Sequence, residues 1–156
     1  MSSESLQRLA ANGRSADQDF APEEELYRRI MSEHFVEGCL LTTSINLPEC
    51  SVVRQKYTET PHDTLMQDYP KYIDYGCVKW TVSEIPSSLE ETVEKNKLVS
   101  HFRVEHVPDE DFFPHSEVRT YKDKQFDKPR KPARTIAKSI RQILADRAKL
   151  EIDTNV

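Results

Sequence analysis

Residues 98–121 read LVSHFRVEHVPDEDFFPHSEVRTY. From Leu98 to His106, Leu98, Ser100, Phe102, Val104 and His106 share one phase, and Val99, His101, Arg103 and Glu105 the other. Such alternation marks a half-buried strand. A second strand-like run extends from about His115 to Tyr121, and the loop between them, VPDEDFFP, holds three acids between two prolines. Strands adjacent in sequence usually pair, so this stretch predicts an antiparallel hairpin.

Working outward, Cys77–Val82 alternates in the same way, with Val78, Trp80 and Val82 opposed to Cys77, Lys79 and Thr81 and the only Trp as a core anchor. Phe35–Ile45, FVEGCLLTTSI, reads as a further strand ended by Pro48. Pro22–His34 reads as an amphipathic helix. Pro22 suits a first helical turn, Glu23, Glu24 and Glu25 suit the positive end of the helix dipole, and Leu26, Tyr27, Ile30, Met31 and His34 share a side. Ser88 followed by Glu91 fits a capping box opening a short helix after Pro86. Residues 46–74 carry Pro48, Pro61 and Pro70 and read as irregular, with a short helix near His62–Asp68. A last helix is expected from about Pro132 to Leu150, where Ala133, Ile136, Ala137, Ile140, Ile143, Leu144 and Ala148 form an apolar stripe.

These elements predict an α+β domain: a small, mainly antiparallel sheet of three to five strands, helices on one face, and a basic C-terminal helix. The expected organisation is a flexible segment over 1–21, a core over 22–121, a basic linker over 122–132, and an amphipathic basic helix over 133–156.

Net charge is −5, unevenly spread. Residues 119–149 hold eleven Lys or Arg and three acids, whereas residues 1–118 hold eleven basic and twenty-two acidic residues. An acidic body with a basic C-terminal region is the chief global feature. No apolar run is long enough to span a bilayer, and the N-terminus lacks the pattern of a secretory signal, so a cytoplasmic location without membrane contact is expected. Three cysteines at wide spacing with no C-x-x-C pair argue against a disulfide framework or a cysteine-built zinc site. Cys39 and Cys77 fall in strand-like runs and are expected to be buried. Neither GxGxxG nor GxxxxGK[ST] occurs, and no cofactor or metal is implied.

Two features could carry chemistry. His106 and His115 flank the acidic loop, and if their strands pair, the imidazoles could meet at the hairpin mouth as an acid–base pair on a nucleotide or phosphodiester. The competing reading makes them strand-end residues beside a solvated loop. The second feature is the basic set Arg130, Lys131, Arg134, Lys138 and Arg141, able to contact phosphates or an acidic partner. No aromatic residue lies between 127 and 156, which removes base stacking from that helix.

Leu26–Ile30 (LYRRI), His34–Gly38 (HFVEG) and Val104–Val118 (VEHVPDEDFFPHSEV) resemble a loose group of small uncharacterised bacterial proteins in which an LYRR helix enters a strand and a later Pro-acidic loop ends in a His. The resemblance covers about a quarter of the chain. It implies a bacterial origin and no activity. The leading expectation is therefore an accessory module acting through a protein partner or a second copy of itself. A small His106/His115 enzyme and a nucleic-acid-binding accessory are the alternatives.

Overall fold

The computed structural model describes residues 3–154. In chain order the elements are α1 (Ser3–Leu9), β1 (Glu25–Ile30), β2 (Phe35–Val36), β3 (Cys39–Leu40), β4 (Glu49–Arg54), β5 (Gly76–Thr81), β6 (Ser88–Val93), β7 (Asn96–His106), β8 (His115–Lys122), α2 (Arg134–Arg147) and β9 (Lys149–Ile152). Seven strands form one antiparallel sheet in the order β6-β7-β8-β4-β1-β5-β9, and β2 and β3 form a separate small hairpin. The α+β expectation stands in its coarse form, with a larger sheet than foreseen. Among the described residues no helix is long and apolar enough to cross a membrane.

The β7–β8 hairpin forms as expected, in a register that pairs Phe102 with Thr120, Val104 with Val118 and His106 with Ser116. The Pro22–His34 helix does not form. Glu25–Ile30 is a strand paired with β5 along its whole length and with β4 on its other side. Leu26 and Ile30 enter one core cluster and Tyr27 the opposite one. The four-residue spacing of Leu26 and Ile30 satisfies both the helical and the strand period. The long strand expected over Phe35–Ile45 is the β2–β3 hairpin followed by a 3₁₀ turn at Thr42–Ser44. Its two-residue turn puts Glu37 and Gly38 at φ of 53° and 78°, as such a tight reversal requires.

Ser88–Val93 is likewise a strand and not a capped helix: it pairs with β7 from Ser88↔His101 to Val93↔Asn96. As the outer strand it carries Glu90 and Glu91, charges that discourage pairing with another chain. The irregular 46–74 segment contains β4, which pairs with both β8 and β1 near the middle of the sheet.

α2 lies on one face. Its Ile136, Ile140 and Leu144 pack with Leu26, Val52, Val78, Trp80, Phe102 and Val118. Leu9 of α1 packs on the other face with Tyr27, Val53, Cys77 and Phe112. The two helices thus sit on opposite faces, where one had been expected to take both. α2 stops at Arg147, and Lys149–Ile152 turns back to pair with β5 as an edge strand. The chain after α2 is therefore part of the sheet, and α2 itself packs on the sheet's face. A Cβ on Gly76 would collide with the Ile152 carbonyl, so this close approach of β9 needs a glycine.

Of the segment over 1–21 expected to be flexible, residues 1 and 2 lie outside the described residues, and Leu9, Asp17, Asp19 and Phe20 contact the body. Arg54, fully buried, donates to both carboxylate oxygens of Glu24 and to the carbonyls of Asp17 and Asp19, and its guanidinium lies 3.9 Å from the centre of the Phe20 ring. A buried guanidinium with every face occupied is stabilising only as a complete set, so this knot fixes where residues 17–24 run. Cys50 and Cys77 are buried, but Cys39 is exposed, because it sits in the small hairpin outside the main sheet.

Candidate functional site

The apolar stripe of α2 points into the core, and side chains on one flank of the helix line a groove against the Thr42–Ser44 turn. The groove is lined by Thr42, Arg134, Thr135, Lys138, Arg141 and Gln142 and holds about 430 Å³. Arg134 and Lys138 are exposed; Arg141 is half-buried and donates from Nε to the Ile45 carbonyl at 3.0 Å. That bond anchors the Arg141 side chain beside the groove it lines. Among the described residues, no carboxylate lies within 4 Å of Arg134, Lys138 or Arg141. Leu41, which immediately precedes Thr42 in the chain, is exposed, and Val36 of the β2–β3 hairpin is exposed as well.

The other two basic residues singled out from sequence do not join this group equally. Arg130 donates to Asp127 and Gln125 and is held locally, whereas Lys131 is exposed. Arg147, at the far end of α2, donates to the Glu84 carbonyl.

The two histidines do not meet. His106 pairs with Ser116, which pairs with Val52, on the α2 side of the sheet. His115 pairs with Val53, on the α1 side. Directly paired residues project to the same face and neighbours along a strand to opposite faces, so the rings sit on opposite faces and the proposed acid–base pair is not assembled.

His106 is buried with both ring nitrogens engaged. Nδ1 accepts from the Asp17 backbone N–H at 2.9 Å, and Nε2 lies 2.6 Å from the Phe113 carbonyl. A carbonyl only accepts, so Nε2 carries the hydrogen and the ring is neutral. Tyr57 stacks on it and Phe113 meets it edge-on. Burial is the main influence lowering its pKa. It is a joint between the N-terminal segment and the hairpin, with no hydrogen-bonding site left for a substrate.

His115 has a different setting. Its Nδ1 lies 2.7 Å from the Val107 carbonyl and its Nε2 lies 3.2 Å from Ser51 Oγ on β4. Ser51 went unnoticed in the sequence because it fell inside the segment read as irregular. The signal was present in Glu49–Arg54, ECSVVR, where Cys50 and Val52 alternate with Ser51 and Val53. Among the described residues no group of three or more His, Cys, Asp or Glu is placed to hold a metal ion. Set beside known protein families, curated proteins and solved structures, the chain matches none of them.

Proposed function

We propose that this chain is a binding module that takes an acidic, partly apolar segment of a protein partner into the groove between α2 and Thr42–Ser44. One observation carries the reading. Arg134, Lys138 and Arg141 line a single groove without carboxylate partners among the described residues, in a chain whose net charge is −5. Surface charges left unmatched inside a fold are available to steer and orient an oppositely charged partner. The exposed Leu41 and Val36 offer apolar contact beside them, the combination found where a mixed acidic and apolar peptide docks. A polyanion is the weaker fit: the helix has no aromatic side chain on which bases could stack, and the overall acidity opposes a broad positive field. Three unpaired thiols suit a reducing compartment such as the cytoplasm.

The test is a fluorescence-anisotropy titration with a short labelled peptide alternating Glu with Leu. A single-stranded oligonucleotide of equal length is titrated in parallel. Saturable peptide binding that weakens with salt and drops about tenfold or more in R134E/K138E supports the reading. Binding of the oligonucleotide but not the peptide overturns it in favour of a nucleic-acid role, and binding of neither removes the groove as a recognition site.

A further inference from the structure

A second cavity opens on the α1 side of the sheet, away from the α2 groove. Tyr27, Arg29, Ser51, Val53, Tyr72 and Tyr75 line it, and it encloses about 150 Å³. Ser51 enters it from β4. The hydroxyl has one notable neighbour, His115 Nε2 at 3.2 Å.

The proton on that imidazole is assigned by its other nitrogen. His115 Nδ1 faces the Val107 carbonyl at 2.7 Å; the carbonyl has no hydrogen to give, so Nδ1 carries it. Nε2 then presents a lone pair to the Ser51 hydroxyl, the arrangement a general base needs. A carboxylate oxygen of Asp109 lies 3.8 Å from the same Nδ1, near enough to stabilise the ring when it gains a charge. Asp109 is itself held: Gln67 Nε2 donates to it at 2.7 Å, while the Gln67 amide oxygen accepts from Arg29 at 3.2 Å. Ser51 at the cavity wall is thus backed by a base and orienting groups, His115, Asp109 and Gln67, that reach it from other parts of the chain.

Arg29 completes the set. It is half-buried, stacks 4.2 Å from the centre of the Tyr72 ring, and gives two hydrogen bonds, to the Thr64 carbonyl and to Gln67. A guanidinium carries five N–H groups, so donors remain. No carboxylate lies within 4 Å of it among the described residues. A partly dehydrated cation lining a cavity, without an anion of its own, suits a site where negative charge develops during reaction.

We propose that Ser51 is the nucleophile of an ester-hydrolysing site, with His115 as its base, Asp109 supporting the imidazolium, and Arg29 stabilising the oxyanion. The substrate class is a short acyl ester, matched to a cavity of about 150 Å³. In the first step Ser51 Oγ bonds to the acyl carbon while its proton passes to His115 Nε2. The carbon–oxygen bond to the leaving alcohol then breaks, and His115 returns the proton to that alcohol. Water attacks the acyl-serine with His115 again taking a proton. The proton goes back to Ser51 Oγ as the carboxylic acid departs. Water is the only co-reactant. This activity is independent of peptide binding in the α2 groove.

The test is covalent labelling of the full chain with a fluorophosphonate probe, read by intact mass and peptide mapping, alongside hydrolysis of p-nitrophenyl acetate. One adduct per chain on Ser51, its absence in Ser51→Ala, and labelling slowed at least tenfold in His115→Asn support the proposal. Circular dichroism establishes that the variants fold. Ser51→Cys gives a second readout: its thiol should alkylate faster than a buried thiol, and the acceleration should vanish when His115→Asn is added. No adduct on Ser51, an adduct elsewhere, or ester hydrolysis by Ser51→Ala at the wild-type rate overturns it.

Discussion

The indole Nε1 of Trp80 donates to the carbonyl oxygen of Leu144 at 2.8 Å, in the interior between the sheet and α2. The same carbonyl accepts the Ala148 N–H that closes the helix. One atom thus joins β5, next to the edge strand β9, to the last turn of α2, just before the chain reverses into β9. Replacing Trp80 by Phe keeps an aromatic ring but removes the donor and leaves space. A loss of about 1–3 kcal/mol is expected, read as a lower urea midpoint at unchanged slope.

Stability should fall as pH drops from neutral through the ordinary histidine range, and His106 is the cause. Burial holds its folded pKa below 6.5, so the unfolded chain takes up a proton at a pH where the folded chain does not. The contribution is complete above about 6.5 and is lost as pH falls from there toward the folded value. Arg54 disfavours the protonated ring and Asp17 favours it; burial exceeds both. Urea midpoints measured from pH 7.5 downward should show this first decline, and His106→Gln should flatten it. A second decline belongs to Asp17. Hydrogen bonds from Lys56 and Tyr57 hold its carboxyl well below its ordinary 3.8, so its contribution is lost only as pH falls below about 4.

Lys95→Gly should stabilise the protein. Glu94 and Lys95 join β6 to β7 with φ of 50° and 70°. Both lie in the left-handed region, where a side chain crowds the backbone and glycine does not. The gain should be about 1 kcal/mol by urea unfolding. Gly38, already in that region in the β2–β3 turn, should respond to Ala in the opposite direction.

Alkylation of the native protein should stop at one thiol. Cys39 is exposed, while Cys50 and Cys77 are buried. Burial raises the Cys50 pKa and lifts that of Cys77 to about 12, leaving little thiolate to react. Mass spectrometry after N-ethylmaleimide treatment should find a single adduct on Cys39, with three only in denaturant.

Elements whose periodicity is carried by their own residues could be read from the sequence. β7 and β8 alternate cleanly, and α2 shows its stripe at Ile136, Ile140 and Leu144. β1 could not be separated from a helix, because Leu26 and Ile30 satisfy both spacings and Tyr27 is buried on the second face. β6 mimicked a capping box, and β9 has four residues, too few to show a period. The groove was half visible: Arg134, Lys138 and Arg141 fall at helical spacing, but the opposing wall at Thr42 comes from a distant part of the chain. The histidines failed on register. With His106 opposite Ser116, His115 is on the other face; a slip of one residue would have brought the rings together. Loop length alone does not decide that slip.

The location of binding is tested most directly by amide chemical-shift mapping of the full chain titrated with the Glu–Leu peptide. Saturable shifts concentrated at Thr42, Arg134–Gln142 and the adjoining Val36–Leu41 hairpin are the expected result. Shifts confined to other surfaces, or an unchanged spectrum at saturating peptide, would contradict a recognition groove on α2.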